Sequence, residues 1–284
     1  MTPAPSGIAV VDKPKGVTSH DVVQGVRRVL RTRKVGHCGT LDPMATGVLV
    51  IAVGQGTKLV PYLTATEKAY EARLQLGVGT DSLDADGTVI EERAVPELTR
   101  PLVEARLRAF VGIQPQRAPR VSALRVDGER LHKKARRGDD FEAPLRQVEL
   151  KEASLDGLSD AQVHFRLVCG KGFYVRSLGR DLAASLGTVG HLTALRRTAS
   201  GPFRVEEALP VEDLGPETLV RVMDAATRVL PVHELSAEDA LHVRHGRPIE
   251  CARQGLAALV FEGELLAIGE GEGERLRVRR GFAV

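Results

Sequence analysis

Apolar and polar residues alternate along this chain with two periods. Val48 to Val53 is an unbroken apolar, largely β-branched run bounded by Gly47 and Gly54, too short for a helix and typical of a buried strand. Ile8 to Val11 predicts a shorter strand, stopped by Asp12-Lys13-Pro14-Lys15-Gly16. Thr18 and Asp21 form a capping-box pair, after which Val22, Val23, Val26, Val29 and Leu30 recur at helical spacing. Tyr70, Ala72, Leu74 and Leu76 alternate with Glu71, Arg73 and Gln75, the period of a strand with one buried face. A helical stripe from Thr99 through Val103, Leu107, Phe110 and Val111 closes at Gly112. Leu145 to Leu155 and Ala161 to Cys169 read as strands joined near Asp156-Gly157. Val175, Leu178, Leu182 and Leu186 then trace a helix that ends at Gly187. After Gly215-Pro216 a last segment of about fifty residues carries a helix capped at Ser236 and a hairpin, Leu256–Phe261 and Leu265–Gly269, turning through Glu262-Gly-Glu264.

These elements predict an α+β fold with a mixed, mainly antiparallel sheet flanked by helices, and a small β-rich unit at the C-terminal end. At 284 residues, with 43% hydrophobic and 27% charged positions, the chain can bury a substantial core. No basic leader or long apolar segment is present, so a cytoplasmic protein is expected. Cys38, Cys169 and Cys251 are far apart and lack ligand spacing, which argues against a disulfide framework or zinc. Gly54-Gln-Gly-Thr-Lys58 lacks the Walker pattern, and Arg93 falls where the loop Thr80 to Thr88 would need a bidentate glutamate for calcium. No metal or nucleotide cofactor is expected.

The net charge of +3 is small but unevenly spread. Arg27, Arg28, Arg31, Arg33 and Lys34 place five cations in eight residues, a pattern that suits a solvated helix face or a phosphate contact equally. Between Arg117 and Arg137 stand eight cations and two acids, the composition of a mobile basic arm with a short helix that would hold backbone phosphates by charge. Beside the first cluster lies GHCGTLDPMATGVL, in which glycines and Pro43 surround Asp42 at the entrance to the Val48 strand. Taken alone, Asp-Pro also reads as an ordinary turn, Tyr70 as a core tyrosine and His37 as a ring bonded to its own loop.

That stretch resembles the signature of the bacterial tRNA pseudouridine-55 synthases, the TruB family, whose motif runs roughly G-H-x-G-T/A-L-D-P-x-A-x-G-x-L. The likeness continues through Gly7 to Ser19 (GIAVVDKPKGVTS), Lys68 to Ala72 (KAYEA) and Lys171 to Leu178 (KGFYVRSL), in the family's order. The runs HGRPI and FEGELLAIG resemble its C-terminal PUA RNA-binding domain. Val121-Ser122 and His132 depart from the family, which often has aromatics at those places.

The resemblance implies a pseudouridine-synthase fold with a catalytic domain over residues 1–230, a basic arm at about 114–146 and a PUA-like domain over 231–284. It implies isomerisation of uridine 55 in the T-loop of tRNA by a monomer, with Asp42, Tyr70 and Arg176 catalytic. His37, Asp84, Tyr174, Lys13 and Arg130 are the substrate-binding candidates. The alternatives are a synthase acting on another RNA and an RNA-binding folding assistant in which Asp42 is incidental. The chemistry itself needs an ionised carboxylate at the sugar or base. A carboxylate shut under a base tends to protonate unless a guanidinium such as Arg176 keeps it charged. The target base must leave the RNA stack to be reached, and Tyr70 offers it an aromatic face.

Overall fold

A computed structural model describes residues 4–122, 124–126, 128–131, 134, 137–139 and 141–283; at 125, 126 and 130 it describes the backbone alone. The part of the chain before the C-terminal unit contributes strands β1 (Gly7–Lys13), β2 (Val35–His37), β3 (Thr46–Val53), β4 (Lys68–Leu76), β5 (Val78–Thr80), β6 (Val89–Glu92), β7 (Gly112–Arg117), β8 (Arg125–Val126), β9 (Glu129–Arg130), β10 (Leu145–Leu158), β11 (Gln162–Cys169), β12 (Gly190–Ser200) and β13 (Phe203–Arg204). Nine of these form one sheet in the order β1-β3-β12-β4-β11-β10-β7, with β2 on β3 and β13 on β12. Its pairings are antiparallel except β12 with β3, which run parallel at Arg196 opposite Thr46 and Arg197 opposite Gly47.

The strands and helices expected outside the basic arm are present, and the arm's short helix falls largely outside the described residues. Thr18 caps the Ser19–Val29 helix: its hydroxyl accepts the Asp21 N–H at 3.1 Å, while the Asp21 carboxylate accepts the Thr18 N–H at 2.9 Å. The apolar run of β3 is continuous because both of its faces are covered. Leu49, Ile51 and Val53 join the core under the Ser19–Val29 and Val175–Ser185 helices. Val48, Val50 and Ala52 face a second core made with Ala258, Val260 and Ile268 from the C-terminal unit. That unit is a five-stranded sheet of β14 (Val232–Glu234), β15 (Ile249–Glu250), β16 (Gly255–Phe261), β17 (Glu264–Glu272) and β18 (Arg275–Gly281), ordered β14-β16-β17-β18-β15. Among the described residues no helix is long and apolar enough to cross a membrane.

Two expectations change. Strand β10 continues past Asp156-Gly157, which is a bulge between Leu155 and Gly157, and the chain turns instead at Ser159, whose N–H donates to Gln162 O at 2.9 Å. Asp and Gly signalled a break correctly, but the partner strand absorbed it. The basic arm carries a small core of its own, Ala118, Leu131 and Ala143, with Phe141 and Tyr174 against it. Arg137 there is held by Glu129 at 2.5 Å and Asp139 at 2.7 Å, so part of the arm's charge is already neutralised. His132, Lys133, Arg136 and Asp127 lie outside the described residues.

Candidate active site

The loop bearing Asp42 is held from three sides. Lys13, at the end of β1, is fully buried and its ammonium donates to the carbonyls of Pro14 (2.9 Å), Val17 (2.8 Å) and Pro43 (3.3 Å). Ser19, at the start of its helix, donates to Leu41 O at 3.1 Å and accepts the Leu41 N–H at 2.9 Å. From β12, the Arg197 guanidinium donates to Val48 O (2.6 Å), Thr40 O (3.5 Å) and Gly39 O (3.3 Å). Gly47 joins loop to strand with φ +97°, and a Cβ there would stand 2.2 Å from Arg197 O, so the parallel contact between β3 and β12 admits glycine alone.

Asp42 is met by Arg176, from the first turn of the Val175–Ser185 helix. Its Nη2 donates to Asp42 Oδ1 at 3.0 Å, and its Nε lies 2.8 Å from Oδ2, an ion-pair contact off the line of the N–H bond. The remaining donors go to Ser82 O at 2.7 Å and Val121 O at 3.0 Å, and Asp84 Oδ2 lies 3.3 Å from Nη1. The guanidinium is 3% exposed and is therefore fixed between two carboxylates. Asp84 also accepts the Ser82 hydroxyl at 2.5 Å and the Asp86 N–H at 3.2 Å. Burial pushes the Asp84 carboxyl above its ordinary range, outweighing the Ser82 hydroxyl and the Arg176 cation, which pull it down.

These groups open onto a cleft of about 350 Å³ whose wall includes Asp42, Arg176, Tyr70, Tyr174, Lys68 and Arg197. Tyr70 is half-buried, and loss of water pushes its hydroxyl up, so the neutral phenol is the resting form. Tyr174 is fixed through its backbone: its N–H donates to Gln116 Oε1 at 2.9 Å and its carbonyl accepts Gln116 Nε2 at 3.1 Å. The cleft can hold a flat ring against a tyrosine and present an anionic carboxylate to it.

The other expected contacts lie elsewhere. Lys13 donates to three carbonyls, has no exposed surface and is absent from the cleft wall, so it supports the loop from behind rather than touching a substrate. Asp84 stands outside the cleft wall and buttresses Arg176. His37 in β2 accepts the Gly39 N–H on Nδ1 at 3.4 Å, also outside the wall, and burial followed by the Arg197 charge lowers its pKa, favouring the neutral ring. Arg130 lies in β9, its side chain outside the description. Sequence reasoning missed Arg197 and Lys68. Arg197 sits directly opposite Tyr70 in the sheet, a relation between β4 and β12 that no local pattern carries.

Residues 27–175 match the model of the TruB family pseudouridylate synthase N-terminal domain, and residues 176–235 that of the tRNA pseudouridylate synthase B C-terminal domain. The chain is 44% identical over 275 residues to the tRNA pseudouridine synthase B of Thermobifida fusca, covering 93% of this chain and 94% of the relative. The corresponding protein of Corynebacterium aurimucosum is 41% identical over 283 residues, covering 95% and 94%. A chain in the crystal structure of a Cbf5-Nop10-Gar1 complex superposes with a TM-score of 0.77 at 24% identity, covering 99% of this chain and 86% of the other. A chain of an H/ACA RNP bound to a substrate RNA containing 2'-deoxyuridine gives 0.76 at 22%, with the same coverages. At these identities the structural likeness is one of fold.

Proposed function

This chain belongs to the TruB family of pseudouridine synthases, and from that premise we propose that it converts uridine 55 in the T-loop of tRNA to pseudouridine, with Asp42 as the nucleophile. The reaction breaks the bond between uracil N1 and C1′, turns the base, and joins C5 to C1′. C5 gives up a proton and N1 gains one, so an isomer results. The observation that carries the assignment is the Asp42 carboxylate gripped by the buried Arg176 at the mouth of a cleft walled by Tyr70 and Tyr174. Arg176 keeps Asp42 ionised once a base covers it, because a neighbouring cation offsets the loss of water. The everted uracil stacks on Tyr70, worth on the order of 1 to 3 kcal/mol, and the phenol takes part in proton movement at C5.

The basic arm over 114–146 holds the stem-loop by its phosphates, and Arg130 contributes there. Residues 1–230 act as the catalytic domain, and 231–284 as a PUA-like RNA-binding domain whose five-stranded sheet shares a core with β1 and β3. The enzyme works as a monomer in the cytoplasm, where tRNA is found. Asp42→Asn tests the assignment: tRNA binding is retained and product is lost. Unchanged pseudouridine formation by that variant refutes it.

A further inference from the structure

Lys68 and Arg197 are both buried, at 7% and 2% exposure, and both line the cleft. They belong to paired strands: Arg197 faces Tyr70 across β4 and β12, and Lys68 lies two residues along the same face. Among the described residues neither forms an ion pair with a carboxylate. Their donors go to carbonyls instead, Arg197 to those of Val48, Thr40 and Gly39, and Lys68 to Thr64 O at 2.7 Å and to Thr66 O.

The acidic groups around them supply no balancing charge. Asp42 is engaged by Arg176 through both carboxylate oxygens. Burial pushes the thiols of Cys38 and Cys169 up to about 12 and raises the Tyr70 hydroxyl, so all three are neutral near pH 7. Burial, and then the nearby Arg197 charge, lowers Lys68 to about 8, which leaves it mostly protonated at that pH. Two like charges held side by side away from water are costly unless an anion joins them.

We propose that Lys68 and Arg197 form an anion subsite in the cleft wall that takes an RNA backbone phosphodiester flanking the everted nucleotide. The subsite rests on the RNA-modifying function proposed above. A phosphate there neutralises the pair and fixes the sugar relative to Asp42, since backbone contacts set register without reading sequence. Tyr70, opposite Arg197 and two residues from Lys68, then meets the base that this phosphate carries.

The experiment uses the full chain and a T-arm stem-loop in which each of the two phosphodiesters flanking the target uridine is replaced, one at a time, by a neutral methylphosphonate. For the parent, one replacement weakens binding about tenfold, the scale of a lost charge-assisted contact. Lys68→Gln binds the unmodified RNA about tenfold less tightly, and the same methylphosphonate then costs it less than twofold more. The slope of log Kd against log salt falls by about 0.7 to 0.9 in that variant, the value of one phosphate contact. Lys68→Arg restores the parent's sensitivity. Indifference of the parent to both methylphosphonates overturns the proposal, whether or not the variants fold, and so does a full second tenfold loss in Lys68→Gln. Inorganic phosphate, added against chloride at equal ionic strength, competes with RNA for the parent more strongly than for Lys68→Gln. Phosphate that binds the parent without displacing RNA assigns the pair to free anions and also overturns it. A chain that forms pseudouridine but ignores the flanking phosphates removes this subsite alone. A chain that shows the phosphate pattern without forming product removes the proposed reaction and keeps the subsite.

Discussion

Arg176→Met removes one cation from between two carboxylates and replaces it with a shorter, apolar, unbranched chain. With an effective dielectric of about 20, a contact of 2.8 Å to Asp42 corresponds to about 6 kcal/mol and one of 3.3 Å to Asp84 to about 5 kcal/mol of attraction. Most of this offsets the dehydration of the 3%-exposed guanidinium, so neither figure is a net contribution. What the substitution exposes is the asymmetry: the buried Asp84 is left without its counter-charge, and the carbonyls of Ser82 and Val121 lose their donor. Breaking a buried pair from one side costs about 3 to 5 kcal/mol. At an m-value of about 3 kcal/mol/M this lowers the urea midpoint by roughly 1 M or more. Adding Asp84→Asn removes the stranded charge and recovers about 2 kcal/mol, a coupling that a double-mutant cycle reads directly. The deficit also depends on pH. The Asp84 pKa in the fold is already above its unfolded value of 3.8, and loss of Arg176 raises it further. An acid whose folded pKa exceeds its unfolded one loses stability as pH climbs between the two. The gap between parent and Arg176→Met therefore widens from pH 4 to pH 7. A loss under about 1 kcal/mol at pH 7, or a gap that stays constant with pH, refutes the reasoning.

Tyr70→Phe keeps the aromatic face but not the hydroxyl, so RNA affinity holds while single-turnover conversion slows by about two orders of magnitude, the usual scale of one proton-transfer group; equal rates in a quench experiment remove that role. Of the three thiols, Cys38 and Cys169 are buried and held at about 12, so a disulfide reagent at pH 7.5 labels Cys251 alone in the native protein and all three after unfolding. Lys13 is lowered by burial from 10.5 to about 8. Between those values the unfolded chain binds the extra proton, so the stability of the parent relative to Lys13→Met rises from pH 8 to pH 10.5 in denaturant titrations, and a flat difference contradicts the buried ammonium.

Much of the fold was legible because it is locally encoded. The Thr18 box, the β3 run between two glycines and the alternation from Tyr70 to Leu76 each announce an element without help from distant residues. The pairing of Asp42 with Arg176 was legible too, since a carboxylate covered by a base calls for a neighbouring guanidinium and the motif that resembles the family's supplies one. What could not be read is whatever depends on strand order. No local pattern in the sequence sets Arg196 and Arg197 apart, yet one pairs with Asp12 at 2.8 Å and the other is buried against the Asp42 loop in the cleft wall. Lys13 and Asp84 belong to the right neighbourhood, but only the packing decides that they stand behind Asp42 and Arg176.

The place of β12 has a consequence for biosynthesis. Strands β3 and β4 are neighbours in the chain yet never pair; β12 separates them and emerges more than a hundred residues after β4 ends. Strand β12 meets β3 only at Thr46 and Gly47 but pairs with β4 from Lys68 to Leu76, so at the roughly 5 to 20 residues per second of a ribosome that edge of β4 waits several seconds or longer without a partner. That strand carries Ala72, Leu74 and Leu76, which end buried in the core, and an unpaired strand edge with an apolar face invites association with other chains. Nascent chains halted before Gly190 therefore keep that edge of β4 open, and the Asp42 loop emerges long before the strand that brings Arg197 to its carbonyls.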